Sequence, residues 1–518
     1  MRDTTELFDL VKSLSRSEKR YISVAALAHK GDSFNYKMFR VLDSMAIYDP
    51  ERFRHLLKKE SVSDNTAVIK LGLHKFIMKT LRNYHSGGNE TITMYERLID
   101  LQIMYDKKNT EATRKLISQL EKVALKQQAL KILSICHTYE RALNNRLPLS
   151  GAEVQSCNKR YLENLEQIKT ETIYLNLGEL IHSFYKEKGI IRSRNEMERI
   201  RKYLKDPYLQ NKKLAISFQS VVAYHRIRAF CYVMLGEHNK ALTDVSAEIN
   251  LMRAIIPDSR IQFPAYVSIC GNRIEIYMEL KKYNDALREI NELKRIPAIA
   301  AEEKWAYKIP QDMVNRLQVD SLLYEGALYI HIANFEKALG IFAGLEALVK
   351  KLDFRLDASQ VEPIPYFRAY LHFIHGDLKN ALTSLKAIIK PGKEKGIFRQ
   401  DIYSYAKLLQ LIVHYELKDE ELSAYLLRSA YRYLKQMGRD YPLDKALLLF
   451  MKDRLAGKNA PYKFRESLLK LKLDLERIIR KDGEASVLKY FDYVSWIESK
   501  LTRKPFMQIM KEKYYVTI

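Results

Sequence analysis

"YVMLGEHNKALTDV", Tyr232 to Val245, decides how the chain is read. An aromatic-led apolar run ends at Leu235-Gly236, a polar break follows, and a second run restarts on Ala241-Leu242. Glycine just past a helix and a small residue early in the next describe a tight antiparallel joint. The pattern returns in "YMELKKYNDALREI" (Tyr277–Ile290), "YIHIANFEKALGIF" (Tyr329–Phe342) and "HFIHGDLKNALTSL" (His372–Leu385). It returns more weakly in "HYELKDEELSAYLL" (His414–Leu427). The small residue falls at Ala241, Ala286, Ala338, Ala381 and Ser423, at intervals of 45, 52, 43 and 42. A fainter copy, "IMYDKKNTEATRKL", places Ala112 there. Self-similarity at such spacing is the mark of stacked helical units.

These joints resemble the tetratricopeptide repeat family, in which a Gly or polar turn is followed by an aromatic and then, three residues later, by Ala. The likeness covers Phe218 to Leu434. The intervals exceed that family's period of about 34 residues, and its Trp, second Gly and terminal Pro are mostly missing. The resemblance implies an all-α, right-handed α-α superhelix, a divergent tetratricopeptide-like solenoid. Gly236 and Gly376 would serve as turn residues, and Ala241, Ala286, Ala338 and Ala381 as close-packing positions. "LFDLVKSLSRSEKRYISV" and "VIKLGLHKFIMKTLRNYH" are similar to the head of uncharacterised helical-repeat proteins of Bacteroidetes-type bacteria, which adds no activity.

Composition agrees with helices. Only 18 Gly and 13 Pro stand among 518 residues, too few for turn-rich β architecture. The 34 Tyr suit helix seams, where the ring packs and the hydroxyl reaches water. Apolar spacing of three and four recurs, and strict alternation hardly at all. The one β-like string, "YYVTI" at Tyr514–Ile518, reads as a docked or frayed tail. The expected organisation is an N-terminal helical cap module at 1–88, divergent hairpins at 89–217, repeats at 218–434 and C-terminal capping helices at 435–518. Within the first module, Ser15 and Glu18 fit a capping box. Five helices are expected there, punctuated by Gly31, Asp49-Pro50 and Ser86-Gly87-Gly88.

No membrane-length apolar run and no signal-peptide core are found. Cys136, Cys157, Cys231 and Cys270 lie far apart without C-x-x-C, so they read as reduced core thiols of a cytoplasmic protein. The net charge of +24 suits an acidic partner or nucleic acid, but it is dispersed rather than blocked. "RSRNEMERIRKYLK" carries the sharpest basic stripe, Arg192, Arg199 and Lys202, interrupted by Glu196 and Glu198.

Chemical motifs are sparse. Neither a phosphate-binding G-x-x-x-x-G-K-[ST] nor a G-x-S-x-G elbow occurs. "KPGKEKGIFR" (Lys390–Arg399) lacks the strand a phosphate loop needs. His372 and His375 share a helix face, but two ligands do not close a zinc site. No catalytic, metal or cofactor residues are expected.

The expected activity is therefore binding without turnover, by a protein or peptide scaffold or adaptor using the concave face of the superhelix. By the resemblance, first-helix residues would line it: His225, Arg228, Tyr232, Arg273, Tyr277, Tyr324, Arg368, Tyr370 and His372. Aromatic residues and Arg dominate binding hot spots. The alternative is a nucleic-acid-associated regulator, its basic N-terminal module contacting DNA or RNA through Ser33–Tyr48 or Thr66–His85.

Overall fold

The computed structural model describes the chain except residues 1–3, 29–32, 61–65, 87–89, 147–149, 189–190, 353–355, 357, 390–399, 439–440, 457–463 and 483. Gly31, Gly87-Gly88 and the Lys390–Arg399 stretch lie outside the described residues. Among those described, regular structure is helical throughout and no strand occurs. The chain forms two units, residues 1–161 with 351–355, and residues 162–350 with 356–518.

The first unit opens with five helices, α1 (Thr4–Ser13), α2 (Arg16–Ala28), α3 (Ser33–Ser44), α4 (Pro50–Lys59) and α5 (Thr66–His85). Their apolar stripes close one core around Val11, Ile22, Met38, Leu42, Leu73 and Ile77. The Ser15 box forms: the Ser15 amide donates to Glu18 Oε2 at 2.8 Å, and the Glu18 amide to Ser15 Oγ at 3.3 Å. Asp49 acts similarly at the start of α4, accepting from the Glu51 and Arg52 amides. α6 (Glu90–Asp106), α7 (Thr110–Lys126) and α8 (Leu130–Asn144) follow, each packed on the next. α9 (Gly151–Lys188) begins in this unit and continues into the second.

The second unit continues with α10 (Arg194–Leu204) and the short α11 (Pro207–Gln210), then the repeat helices. These are α12 (Phe218–Met234), α13 (His238–Ile255), α14 (Phe263–Glu279), α15 (Tyr283–Glu302), α16 (Gln311–His331) and α17 (Phe335–Lys351). After α18 (Ala358–Val361) come α19 (Pro363–Ile374), α20 (Leu378–Ile388), α21 (Gln400–Glu416) and α22 (Glu420–Gln436). α23 (Pro442–Leu455), α24 (Phe464–Asp482), α25 (Tyr493–Thr502) and α26 (Phe506–Tyr514) complete it. Sequence neighbours pack on one another, and first helices also touch the next first helix, α14 on α16 and α19 on α21. That order of contacts is consistent with a helical repeat.

The joints share one backbone device. Gly236, Lys281, Ala333, Gly376 and Lys418 all adopt positive φ, between 54° and 77°. In each, the amide one residue later reaches back to the last turn of the first helix. Glu237, Lys282 and Asn334 bond Tyr232, Tyr277 and Tyr329 carbonyls at 2.8 Å, Asp377 bonds His372 at 2.9 Å, and Asp419 bonds His414 at 3.2 Å. This is the left-handed helix stop that satisfies orphan carbonyls. Five residues after each left-handed residue stands the small one, and Ala241, Ala286, Ala338, Ala381 and Ser423 are all 0% exposed. The faint upstream copy is genuine but shifted by one. Lys108 is left-handed, Asn109 bonds the Met104 carbonyl at 3.1 Å, and the fully buried small residue is Thr113, not Ala112.

The C-terminal residues do more than stack beyond the last repeat. α25 follows α24, but the segment before it returns to the first helices of earlier repeats.

Candidate functional site

First helices α19 and α21 are met by the chain's own C-terminal segment. Residues Tyr490, Phe491, Asp492, Tyr493, Val494, Ser495, Trp496 and Ile497 are consecutive and all buried. A surface helix buries one stripe; burial on every side marks a segment enclosed by other elements. Tyr490 stacks on Tyr405 of α21, with ring centroids 4.4 Å apart. Its hydroxyl donates to Asp401 Oδ2 at 3.0 Å, and its carbonyl accepts from the Tyr366 hydroxyl of α19 at 3.0 Å. Phe491 meets Tyr370 at 5.5 Å and Phe373 at 5.4 Å. Trp496 Nε1 donates to Glu416 Oε1 at 2.7 Å, and Lys500 pairs with the other oxygen of that carboxylate. The tail docks as well, because the Val516 amide donates to the Ile332 carbonyl at 3.3 Å.

Asp492 organises the turn into α25. It caps the helix through the Ser495 amide at 2.9 Å, and its other oxygen accepts from Tyr514 Oη at 2.6 Å and Lys513 Nζ at 3.2 Å. Such a carboxylate, 1% exposed, is tolerable because every bond to it is charge-assisted.

The residues expected to line a groove have the following surroundings. Arg228 lies over the rings of Tyr224 and Tyr232 and bonds Asp244 at 3.2 Å and the Leu209 carbonyl at 2.9 Å. His225 is buried and meets Asp244 at 2.7 Å. Arg273, also buried, pairs with Glu289. Arg273 and Glu289 stand 45 residues after Arg228 and Asp244, the interval from Ala241 to Ala286. These pairs therefore recur with the repeat and staple a first helix to its own second helix. Arg368 is paired with Glu346 of α17. Arg228 and Arg273 are thus engaged within their own hairpins, and Arg368 reaches back to the second helix of the preceding one. Tyr370 is buried under Phe491. Tyr324 fills the notch left by Gly271, its hydroxyl and ring standing where a β-carbon would be. Tyr232 and Tyr277 are half-buried at equivalent turn positions. His372 pairs with Asp377 at 3.4 Å, as His414 does with Asp419 at 3.5 Å one repeat later. His375 instead meets the Leu371 carbonyl at 2.8 Å, so the two histidines do not converge.

The three residues of the expected basic stripe differ in their surroundings. Arg192 is 4% exposed, bonding Asp444 at 2.7 Å and Glu484 on its other edge, with the ring of Tyr441 4.2 Å away. Apolar surroundings require such a guanidinium to be paired. Arg199 lies over Phe184 at 4.6 Å, and Lys202 is exposed. All four cysteines are free and buried; burial pushes the thiols of Cys136, Cys231 and Cys270 up to about 12, which makes them poor nucleophiles.

Among the described residues one His–carboxylate group converges. Glu121 of α7 with His137 and Glu140 of α8 bring three ligand-type atoms within 4.8 Å of one another. The group belongs to none of the sequence motifs above, although His137 and Glu140 are three apart and so share a helix face.

No protein-family model matches the chain, and no curated protein matches it in sequence. No helix among the described residues is long and apolar enough to cross a membrane.

Proposed function

We propose that this chain is a non-catalytic, tetratricopeptide-like scaffold whose first-helix face holds an extended protein segment, and that residues 487–497 are the segment held in cis. The observation that carries the reading is the unbroken burial of residues 490–497 against α19 and α21. Helical repeats present their first helices as an extended binding surface. Tyr366, Tyr370, Phe373 and Tyr405 supply the rigid aromatic contacts that dominate such surfaces. An outside partner would be a peptide with closely spaced aromatics and one carboxylate, matching Tyr490, Phe491, Asp492 and Trp496. The buried free thiols suit a reducing compartment.

The test uses the full chain with a specific protease site inserted between Asp482 and Glu484. After cleavage, a labelled synthetic peptide of residues 484–518 is offered. Saturable exchange into the complex, competed by unlabelled peptide and lost when Phe491 and Trp496 of the peptide are Ala, supports the proposal. Irreversible unfolding on cleavage, or uptake indifferent to those alanines, makes the segment an ordinary part of the core and sinks it.

A further inference from the structure

We propose that Glu121, His137 and Glu140 bind a divalent transition-metal ion of the zinc class. The three come from one helix hairpin. Gln128 takes positive φ between α7 and α8, which turns Glu121 back over the His137–Glu140 face. His137 is 4% exposed, and its Nδ1 has no hydrogen-bond partner. Neither has Glu121 Oε1 nor Glu140 Oε2, and both are equally enclosed. Three orphaned buried polar atoms aimed at one point are costly unless something joins them.

The spacing identifies what joins them. Nδ1 lies 3.6 Å from Glu121 Oε1 and 3.5 Å from Glu140 Oε2. Those separations are too long for direct hydrogen bonds. A bridging water, bonded at about 2.8 Å in tetrahedral directions, would hold its partners about 4.5 Å apart. Zinc bonds of about 2.0–2.2 Å at tetrahedral angles set donors about 3.3–3.5 Å apart. The histidine edges therefore fit an ion better than a water. The side chains of Glu121 and Glu140, 20% and 25% exposed, give the third edge room to close.

The surroundings suit a borderline cation. Arg160 Nη2 of α9 bonds the remaining Glu140 oxygen, Oε1, at 2.6 Å, an outer partner that orients the ligand oxygen. The Cys157 thiol lies against Glu140, and Cys136 is near both carboxylates. Arg141 is turned onto the Tyr161 ring at 4.9 Å. Imidazole with carboxylates suits zinc-like ions better than an all-oxygen site would.

The experiment takes the full chain, strips it with a chelator and titrates zinc alone against a chromophoric competitor, with metal content measured after dialysis. About one equivalent is expected to bind tightly and to raise the melting temperature. His137→Asn and Glu121→Gln should each abolish both effects while the far-ultraviolet dichroism stays unchanged. Arg160→Met, at a largely exposed side chain, should weaken binding by about 10–100-fold. Failure to retain zinc against the competitor, or equal zinc in wild type and both ligand variants, overturns the proposal.

Discussion

Replacing Lys281 and Lys418 by glycine should stabilise the protein, although both side chains are exposed and neither substitution adds a contact. Lys281 and Lys418 hold φ of 57° and 59°, where two sister joints hold Gly236 and Gly376 at 72° and 77°. The left-handed region costs an L-residue about 1–2 kcal/mol, and glycine returns about 0.5–1 kcal/mol of that through the entropy it loses on folding. The net gain is about 0.5–1 kcal/mol at each site. The sites belong to separate repeats, so the double variant should gain about 1–2 kcal/mol. Ala333, left-handed at 54° but 0% exposed, is the internal control. Its glycine variant also loses one buried methyl, worth about 0.8 kcal/mol, and should come out near neutral. Gly236→Ala meets nothing within 4 Å, so its loss measures backbone strain alone. Urea unfolding followed by circular dichroism reads all five variants, with the slope of the transition constant. Destabilisation by glycine at 281 and 418, with Gly236→Ala neutral, would refute the shared left-handed joint.

Trp496→Ala should cost about 3–5 kcal/mol by cavity formation, visible as a lower urea midpoint. Glu416 keeps its Lys500 partner in that variant, so an orphaned charge adds little to the loss. Gly326→Ala should destabilise by about 1–3 kcal/mol. A β-carbon there would lie 2.7 Å from Cε2 of the fully buried Phe342, whereas Gly340→Ala meets nothing within 4 Å and should gain stability from helix propensity. Thermal melts of the pair make the comparison. Glu248 supplies a pH signature, because burial pushes its carboxyl up to about 7 despite its pair with Arg226. A raised acid pKa favours the folded state at low pH. That contribution, about 3 kcal/mol, is lost as pH rises from about 4.5 to 7. Glu248→Gln should flatten this part of the stability–pH curve, measured by urea midpoints at pH 5 and 8.

The joints were legible because their chemistry is local. An αL stop, a cap and a small residue five positions on leave a trace within about one turn of sequence. The trace faded where lysine or alanine took the glycine position, which is why the upstream copy was placed on Ala112 rather than Thr113. The stapling role of Arg228 and Arg273 was not legible, because an Arg on a first helix looks the same in sequence whichever way it points. Their partners Asp244 and Glu289 declare themselves only when matched at the repeat interval. The return of residues 487–497 to α19 and α21 left a compositional hint, an aromatic-rich run in which Tyr490, Phe491, Tyr493 and Trp496 crowd around Lys489, Asp492 and Ser495. Its destination, more than a hundred residues upstream, is set by tertiary packing alone. The Glu121–His137–Glu140 convergence was half visible as a three-residue spacing, and Glu121 needed the hairpin to bring it in.

Hydrogen–deuterium exchange of the intact chain measures the occupancy of the first-helix face directly. The amides of residues 490–497 should exchange as slowly as those of α19 and α21, since all three open only together. Rapid exchange of 490–497 beside protected α19 and α21 would show the segment lying free of that face and contradict the account.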